Sequence, residues 1–434
     1  MSGVILLFVL LIVLMMASVP VGISLGVSTL VTMVLTTDLN VITIPQYCFR
    51  GLDSFPLMAI PFFMLAGNLM KFGGLSERLI NLANSLVRGF KGGLGHVTVL
   101  ASMFFAALSG SAPATVMAIG SNVIPEMEKR GYDRGYATAL ASAAGTIGVI
   151  IPPSIPFVIY GVVSNTSIGA LFVAGIIPGI LIGVVLMVVN YGFARKYGYG
   201  GDSKASFREF LHELKDSIWA LLVPVIILGG IYGGIFTPTE SAVVAVVYTL
   251  LIGFFVYKEL TWKKVYDAFK ETASLNGTTT FMVGLSMSFA SYLALAGVPA
   301  AIGNYILSLN AAPVVILLLV NLILLVVGCF IDNISSTIIL TPILLPIVQR
   351  LGMDPIQFGI VLTVNLAIGF ITPPYGVNLF YGSAIGKISL EELAKKIMPF
   401  ILAMIFCLLL LTFIPSLSML LPGIMTFMMQ SNNV

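Results

Sequence analysis

Apolar runs of about 20 residues recur along the 434-residue chain, each long enough to cross a bilayer as an α-helix. In hydrocarbon every backbone amide needs a partner inside the protein, so such runs become helices or the strands of a closed barrel. A barrel would show segments about ten residues long with alternating hydrophobicity, and these runs do not alternate. Charged residues make up 9% of the chain, far below the share of roughly 25% in soluble domains. The sequence therefore reads as an all-α polytopic membrane protein. The net charge of +3 is small, and no nucleic-acid partner is expected. Cys48, Cys329 and Cys407 fit no metal-ligand spacing and are odd in number, so they read as small apolar fillers. The N-terminal run lacks a basic leading region and reads as a retained first helix.

Lys and Arg cluster at 71–91, 129–134, 195–215, 258–270 and 387–396, and are missing from 1–49 and 397–434. The positive-inside bias makes these clusters cytoplasmic and puts both termini outside, in the periplasm of a Gram-negative host. Three crossings, 3–18, 22–37 and 54–70, then lead to an amphipathic segment 75–91 with Leu75, Leu79, Leu82 and Leu86 on one stripe. The run 92–125 has basic residues on both flanks. It is expected to be a re-entrant hairpin with its tip at 109–115; two short full crossings are the alternative. Residues 137–194 cross twice, and 195–216 form a polar connector. The plan then repeats with 217–235, 240–257, a charged segment 258–271 and 275–296. A second hairpin, 312–345, enters from outside around "IDNISST", and crossings at 357–383 and 397–421 follow.

The repeat is visible in two stretches, "GVIIPPSIPFVIYG" at 148–161 and "GFITPPYGVNLFYG" at 369–382. A shift of 221 positions aligns Pro152 and Pro153 with Pro373 and Pro374. Without a gap it also aligns Pro125 with Pro346, Gly131 with Gly352, Asp133 with Asp354, Tyr160 with Tyr381 and Pro178 with Pro399. Apolar composition produces Leu and Ile coincidences, not this set of Pro, Gly and Asp. An odd number of crossings per half implies that the halves are inverted across the membrane. Inverted repeats with interrupted helices point to a secondary transporter with its site at the midplane.

Each proline removes a backbone donor and blocks the normal helical bond, which frees carbonyls near 145–148 and near 367–371. Freed carbonyls together with Ser and Thr hydroxyls make a hard-oxygen cage suited to a small cation such as Na⁺. One Na⁺ is expected between the first tip and the first break, at Ser109, Gly110, Ser111, Gly145, Thr146 and Pro152. A second is expected at Gly328, Asp332, Ser336, Ala367 and Thr372. Asp332 is the only acid in a long apolar region, and acids at membrane depth are mostly functional; a helix cap or a water-facing loop residue is the alternative. Half-helix N-termini attract a substrate carboxylate. Ser111, Thr115, Ser154, Asn165, Asn333, Tyr375 and Asn378 are the candidates to face it. For Ser154, Asn165, Tyr375 and Asn378, satisfying broken backbone is the competing role.

Other patterns lead nowhere. "GSAIGK" at 382–387 is one residue too short for a phosphate-binding loop and lacks a Ser or Thr after the Lys. His96 and His212 are isolated, and Gly229, Gly230, Gly233 and Gly234 suit close helix packing. No facing acid–base pair suggests an enzyme. A passive channel and a standalone anion/Na⁺ or anion/H⁺ transporter are the alternatives to a coupled importer.

The stretches "LSGSAPATVMAIGSNVIPEMEKRGY", "GTIGVIIPPSIPFVIYG" and "GFITPPYGVNLF" resemble the large membrane subunit of tripartite ATP-independent periplasmic (TRAP) transporters. The resemblance covers essentially the whole chain. It implies Na⁺-driven uptake of an organic acid, such as sialic acid or a C4-dicarboxylate, across a bacterial inner membrane. It also implies two partners: a separate small membrane subunit of four helices, and a soluble periplasmic binding protein that delivers substrate. Finally, it implies kinship with elevator-type ion transporters, in which a transport domain slides on a scaffold. On that mapping 1–91 holds scaffold helices and a first arm. Residues 92–194 are the first transport repeat, with hairpin 92–125 and broken helix 137–163. Residues 195–311 hold the connector, further scaffold helices and a second arm. Residues 312–421 are the second transport repeat, with hairpin 312–345 and broken helix 357–383, and 422–434 is a C-terminal tail. Both tips of the related carriers read Ser-Asn-Thr, whereas here the positions are Ser111-Ala112-Pro113 and Asp332-Asn333-Ile334.

Overall fold

Prolines, glycines and capping side chains divide the apolar chain into helices at regular places. The computed structural model describes residues 2–37, 40–201, 203, 205–308 and 311–431, and no strand occurs among them. The first half contains α1 (Ser2–Met16), α2 (Val21–Thr36), α3 (Thr43–Leu52), α4 (Ala59–Phe72), α5 (Leu75–Val87), α6 (Gly93–Ser109), α7 (Ala112–Lys129), α8 (Arg134–Gly145), α9 (Ile155–Ser164) and α10 (Ile168–Tyr197). The second contains α11 (Phe207–Tyr232), α12 (Pro238–Leu251), α13 (Trp262–Leu295), α14 (Val298–Ser308), α15 (Pro313–Phe330), α16 (Asn333–Arg350), α17 (Pro355–Gly369), α18 (Val377–Gly386), α19 (Leu390–Phe413) and α20 (Ser416–Ser431). Among the described residues, seven helical stretches are long and apolar enough to cross a membrane by length and composition. The all-α class expected from the sequence is the one observed.

The aligned residues do matching structural work. After α7 and after α16 the chain turns through a left-handed glycine, Gly131 at φ 82° and Gly352 at φ 87°, a conformation open to residues without a Cβ. Two residues later an aspartate caps the next helix. Asp133 accepts the amide of Tyr136 at 2.8 Å, and Asp354 accepts that of Ile356 at 2.7 Å. Both Pro–Pro bonds, Pro152-Pro153 and Pro373-Pro374, are cis.

Five helices differ from the sequence reading. Ser206 caps α11 by accepting the amide of Glu209 at 3.1 Å, so the helix begins inside the expected connector. The charged segment 258–271 and the crossing 275–296 merge into the single 34-residue α13, because no Pro or Gly lies between Glu271 and Asn276 to stop it. Short helices α3 and α14 occupy stretches with no assigned crossing. The segment expected as a tail from 422 continues α20 to Ser431; 432–434 lie outside the described residues.

The two broken helices clasp each other. Tyr160 of α9 donates its hydroxyl to the carbonyl of Pro355 at 2.6 Å, and Arg134 of α8 donates to that of Gly386 at 2.6 Å. Small residues let α8 and α18 approach: a Cβ on Gly382 would collide with the Ser142 hydroxyl, and one on Gly386 with the Thr138 hydroxyl. Around this body, one arginine ties three elements together. Arg78 of α5 pairs with Asp216 of α11 at 3.2 Å and with Glu259 before α13 at 2.7 Å. Its guanidinium lies 3.7 Å above the Tyr257 ring. Burial alone would lower its pKa, but Glu259 and Asp216 outweigh that and hold it above the ordinary value.

Candidate functional site

In the first half, α6 and α7 form a hairpin that turns at Gly110, whose φ is 61°. Ser111 caps α7. The tip rests on the break between α8 and α9. A Cβ on Gly110 would stand 2.7 Å from the Pro153 carbonyl oxygen, and one on Gly148 would stand 2.6 Å from that of Ser111. Gly145 presses on Val116 in the same way. The tip's oxygens bond to one another. Thr115 Oγ1 donates to the Ser111 carbonyl at 2.8 Å and lies 3.1 Å from Ser109 Oγ. Past α8 the chain makes a short 3-10 turn, Thr146–Val149. Thr146 donates to the Ala143 carbonyl at 2.6 Å. Ser154 is fully buried and donates to the Val149 carbonyl at 2.6 Å while capping α9. Pro152, also buried, belongs to the break itself.

In the second half, α15 and α16 form the equivalent hairpin, turning at Ile331 and Asp332. Gly328 lies against α17: a Cβ on Gly369 would stand 2.6 Å from Gly328 Cα. Asp332 caps α16 with one oxygen, Oδ2 accepting the amides of Ile334 at 2.8 Å and Ser335 at 3.1 Å. Its other oxygen, Oδ1, is buried and has no hydrogen-bond partner, and the same holds for Ser336 Oγ. The two positions align with Ser111 and Thr115, whose oxygens are satisfied within the first tip. Buried polar groups normally find partners, and an orphan calls for an unseen water or ion. A carboxylate oxygen and a hydroxyl, four residues apart at one helix start and both without a partner, are hard-oxygen donors of the kind that suits a small cation such as Na⁺. Among the described residues, no three His, Cys, Asp or Glu side chains cluster as a metal-binding group.

The remaining candidates fall in three environments. Thr372 donates to the Ile368 carbonyl at 2.7 Å, and Ala367 is fully buried in α17, next to the second break. Asn333 is buried with Oδ1 accepting from Thr337 at 3.2 Å, and its Nδ2 has no partner. Asn378 is fully buried and reaches across to α8. Tyr375 is exposed, its ring 5.7 Å from that of Phe330. Asn165, also exposed, ends α9 and lines a separate cavity of about 1040 Å³ with Ser167, Tyr232 and Asp354.

Sequence reasoning missed two polar groups. In the second half, Asn365 donates to Asn321 at 2.8 Å and Asn321 to Thr412 at 3.1 Å, linking α17, α15 and α19. The repeat gave no signal for it, since the same shift aligns Asn365 with Ala144 and Asn321 with Leu100. At the first tip, Asn68 and Lys71 of α4 and Glu271 of α13 line one cleft of about 60 Å³ together with Ser109 and Ser111.

This arrangement can be set beside known proteins. Residues 8–417 match the family described as "Tripartite ATP-independent periplasmic transporter, DctM component". The isethionate TRAP transporter permease protein DctMQ of Oleidesulfovibrio alaskensis is 46% identical, the match covering 91% of this chain and 62% of that one. The C4-dicarboxylate TRAP transporter large permease protein DctM of Pseudomonas aeruginosa is 41% identical, covering 91% of this chain and 92% of the relative. The sialic acid TRAP transporter large permease protein SiaM of Vibrio cholerae is 41% identical with the same coverage. Two solved structures share the fold. The YdaH transporter of Alcanivorax borkumensis has a TM-score of 0.58 at 13% identity, over 85% of this chain and 88% of that one. MtrF of Neisseria gonorrhoeae, from a class of antimetabolite efflux pumps, has a TM-score of 0.59 at 12% identity, over 86% and 83%. The chain is a multi-pass membrane protein and belongs to the family of TRAP transporter large permeases.

Proposed function

We propose that this chain is the translocating subunit of a Na⁺-coupled importer of a small organic acid. It sits in a bacterial inner membrane with both termini in the periplasm. It works beside a small four-helix membrane subunit and receives its cargo from a periplasmic binding protein. The two repeats are inverted, the hairpins are re-entrant, and hairpins and broken helices move together on the scaffold as an elevator. The names of the relatives, which include C4-dicarboxylate, sialic acid and isethionate systems, support a cargo that is a small anion.

One observation carries the coupling: a buried carboxylate oxygen of Asp332 that makes no protein hydrogen bond, and four residues later in the same hairpin the equally unpartnered Ser336 hydroxyl. The two amides on Oδ2 leave the buried carboxylate without a countercharge, which is costly, and a Na⁺ held at Oδ1 offsets that cost. It also neutralises the negative charge that an anionic cargo would otherwise meet near the second tip. Anion affinity thus depends on the cation, and by linkage the dependence is mutual. Backbone amides at the starts of α7 and α16 supply partial positive charge without a fixed cation.

The test is uptake into proteoliposomes holding this chain and its small subunit, with the binding protein outside. Radiolabelled succinate, sialic acid and isethionate are each tried. Accumulation of one of them that requires an inward Na⁺ gradient is the expected result; equal accumulation in choline buffer overturns the coupling.

A further inference from the structure

A charge pair between α4 and α13 shares a cleft with the first hairpin tip. Lys71, in the last turn of α4, lies 3.3 Å from Glu271 of α13. Their side chains retain 41% and 32% of their exposure. Both line the small cleft that also contains Ser109 and Ser111 of the tip. The cleft is tight, because α4 touches the tip itself: a Cβ on Gly67 would stand 3.3 Å from Ser109 Cα. Its polar lining continues through Asn68, which donates to Thr272 at 2.9 Å. The first turns of α7, capped by Ser111, line the same cleft through Ser111 and Ala114, and the helix dipole favours anions at that end.

We propose that Lys71 is an anion-receiving residue of the transport path, and that Glu271 occupies its ammonium as an internal stand-in for the cargo's acid group. This rests on the transport reading above. A half-exposed Lys–Glu pair contributes little to stability, so exchanging the Glu271 carboxylate for a carboxylate or sulfonate of the cargo costs little. The exchange also leaves Lys71 neutralised in both states, and a cation beside the path that is never left bare does not trap the anion. Lys71 belongs to the scaffold side of the cleft and Ser111 to the hairpin. Sliding of the hairpin past α4 would therefore separate the cargo from Lys71 in one state and present it in the other. The residue binds cargo directly through its ammonium nitrogen.

The experiment is exchange of radiolabelled acid across proteoliposomes containing the complete transporter, using whichever of succinate, sialic acid and isethionate the wild type accumulates. Half-saturation is read from each side of the membrane. Lys71→Gln raises half-saturation on one side by about tenfold, as expected for loss of a close charge pair, and leaves the other side within twofold. Lys71→Arg stays within threefold of wild type. Glu271→Gln frees the ammonium and lowers half-saturation on the same side. If the pair is only a staple between α4 and α13, both neutral variants lose activity together without a one-sided shift, and that result overturns the proposal. Unchanged half-saturation in Glu271→Gln overturns it as well, even if Lys71→Gln fails to fold. A wild type that carries none of the three acids overturns this inference along with the transport reading; a wild type that transports while the variants match it overturns this inference alone.

Discussion

Asn378 in the second broken helix donates from Nδ2 to the carbonyl of Ser142 in the first, across 3.3 Å. The Asn378 Oδ1 and the Ser142 hydroxyl are both buried without partners. This amide adds a third hydrogen bond between the two interrupted helices, beside those of Tyr160 and Arg134. Replacing Asn378 with Ala leaves a buried carbonyl without its donor, at a cost of about 1–3 kcal/mol. The thermal midpoint of the purified protein should fall accordingly. An unchanged midpoint would mean that the bond contributes nothing.

Asp332 separates its two tasks by oxygen atom: Oδ2 caps α16, and Oδ1 has no protein partner. Asp332→Asn keeps an oxygen for the cap but removes the charge. It should retain most of the stability and lose Na⁺-dependent uptake. Asp332→Ala should lose uptake and also about 0.5–2 kcal/mol of cap stabilisation. Thermal unfolding and uptake measured on both variants distinguish the cap from the ion site.

Ser154 is fully buried and already bonded to Val149, and it caps α9. Ser154→Ala should therefore destabilise by about 1 kcal/mol and leave the half-saturation of uptake unchanged. A selective rise in half-saturation with a normal melting curve would return Ser154 to the set of cargo-facing residues.

Gly148 has no room for a methyl group, since its Cβ would meet the Thr115 hydroxyl and the Ser111 carbonyl. Gly148→Ala should push the first tip off the break, at a cost of about 1–3 kcal/mol, and reduce uptake. Gly192, with nothing near its Cβ position, is the control: its Ala variant should behave as wild type in the same uptake assay.

Much of this architecture was legible because helix punctuation is local. The Gly131–Asp133 and Gly352–Asp354 turn-and-cap pairs, the two Pro–Pro breaks and the tips at 110–111 and 331–332 all announce themselves in a few residues of sequence. Facing relationships did not. Nothing near Lys71 says that Glu271 lies beside it, 200 positions later, because helix packing is decided by whole faces and not by spacing. The continuity of α13 was hidden for a different reason. Its charges suggested a boundary, but charge alone does not end a helix, and Ser274, Asn276 and Gly277 are all carried inside this one. Nor could the sequence show how Asp332 divides its oxygens, since capping and ion binding call for the same residue type.

The account stands on cation binding at Asp332, and the most direct measurement is thermal unfolding of the purified chain in NaCl against choline chloride at equal ionic strength. A ligand that binds only the folded state stabilises it by about 2.7 kcal/mol at a hundredfold excess over its dissociation constant. Wild type should show a midpoint that rises with Na⁺ and saturates, and Asp332→Asn should lose most of that rise. Equal Na⁺ stabilisation in the two proteins would contradict the account.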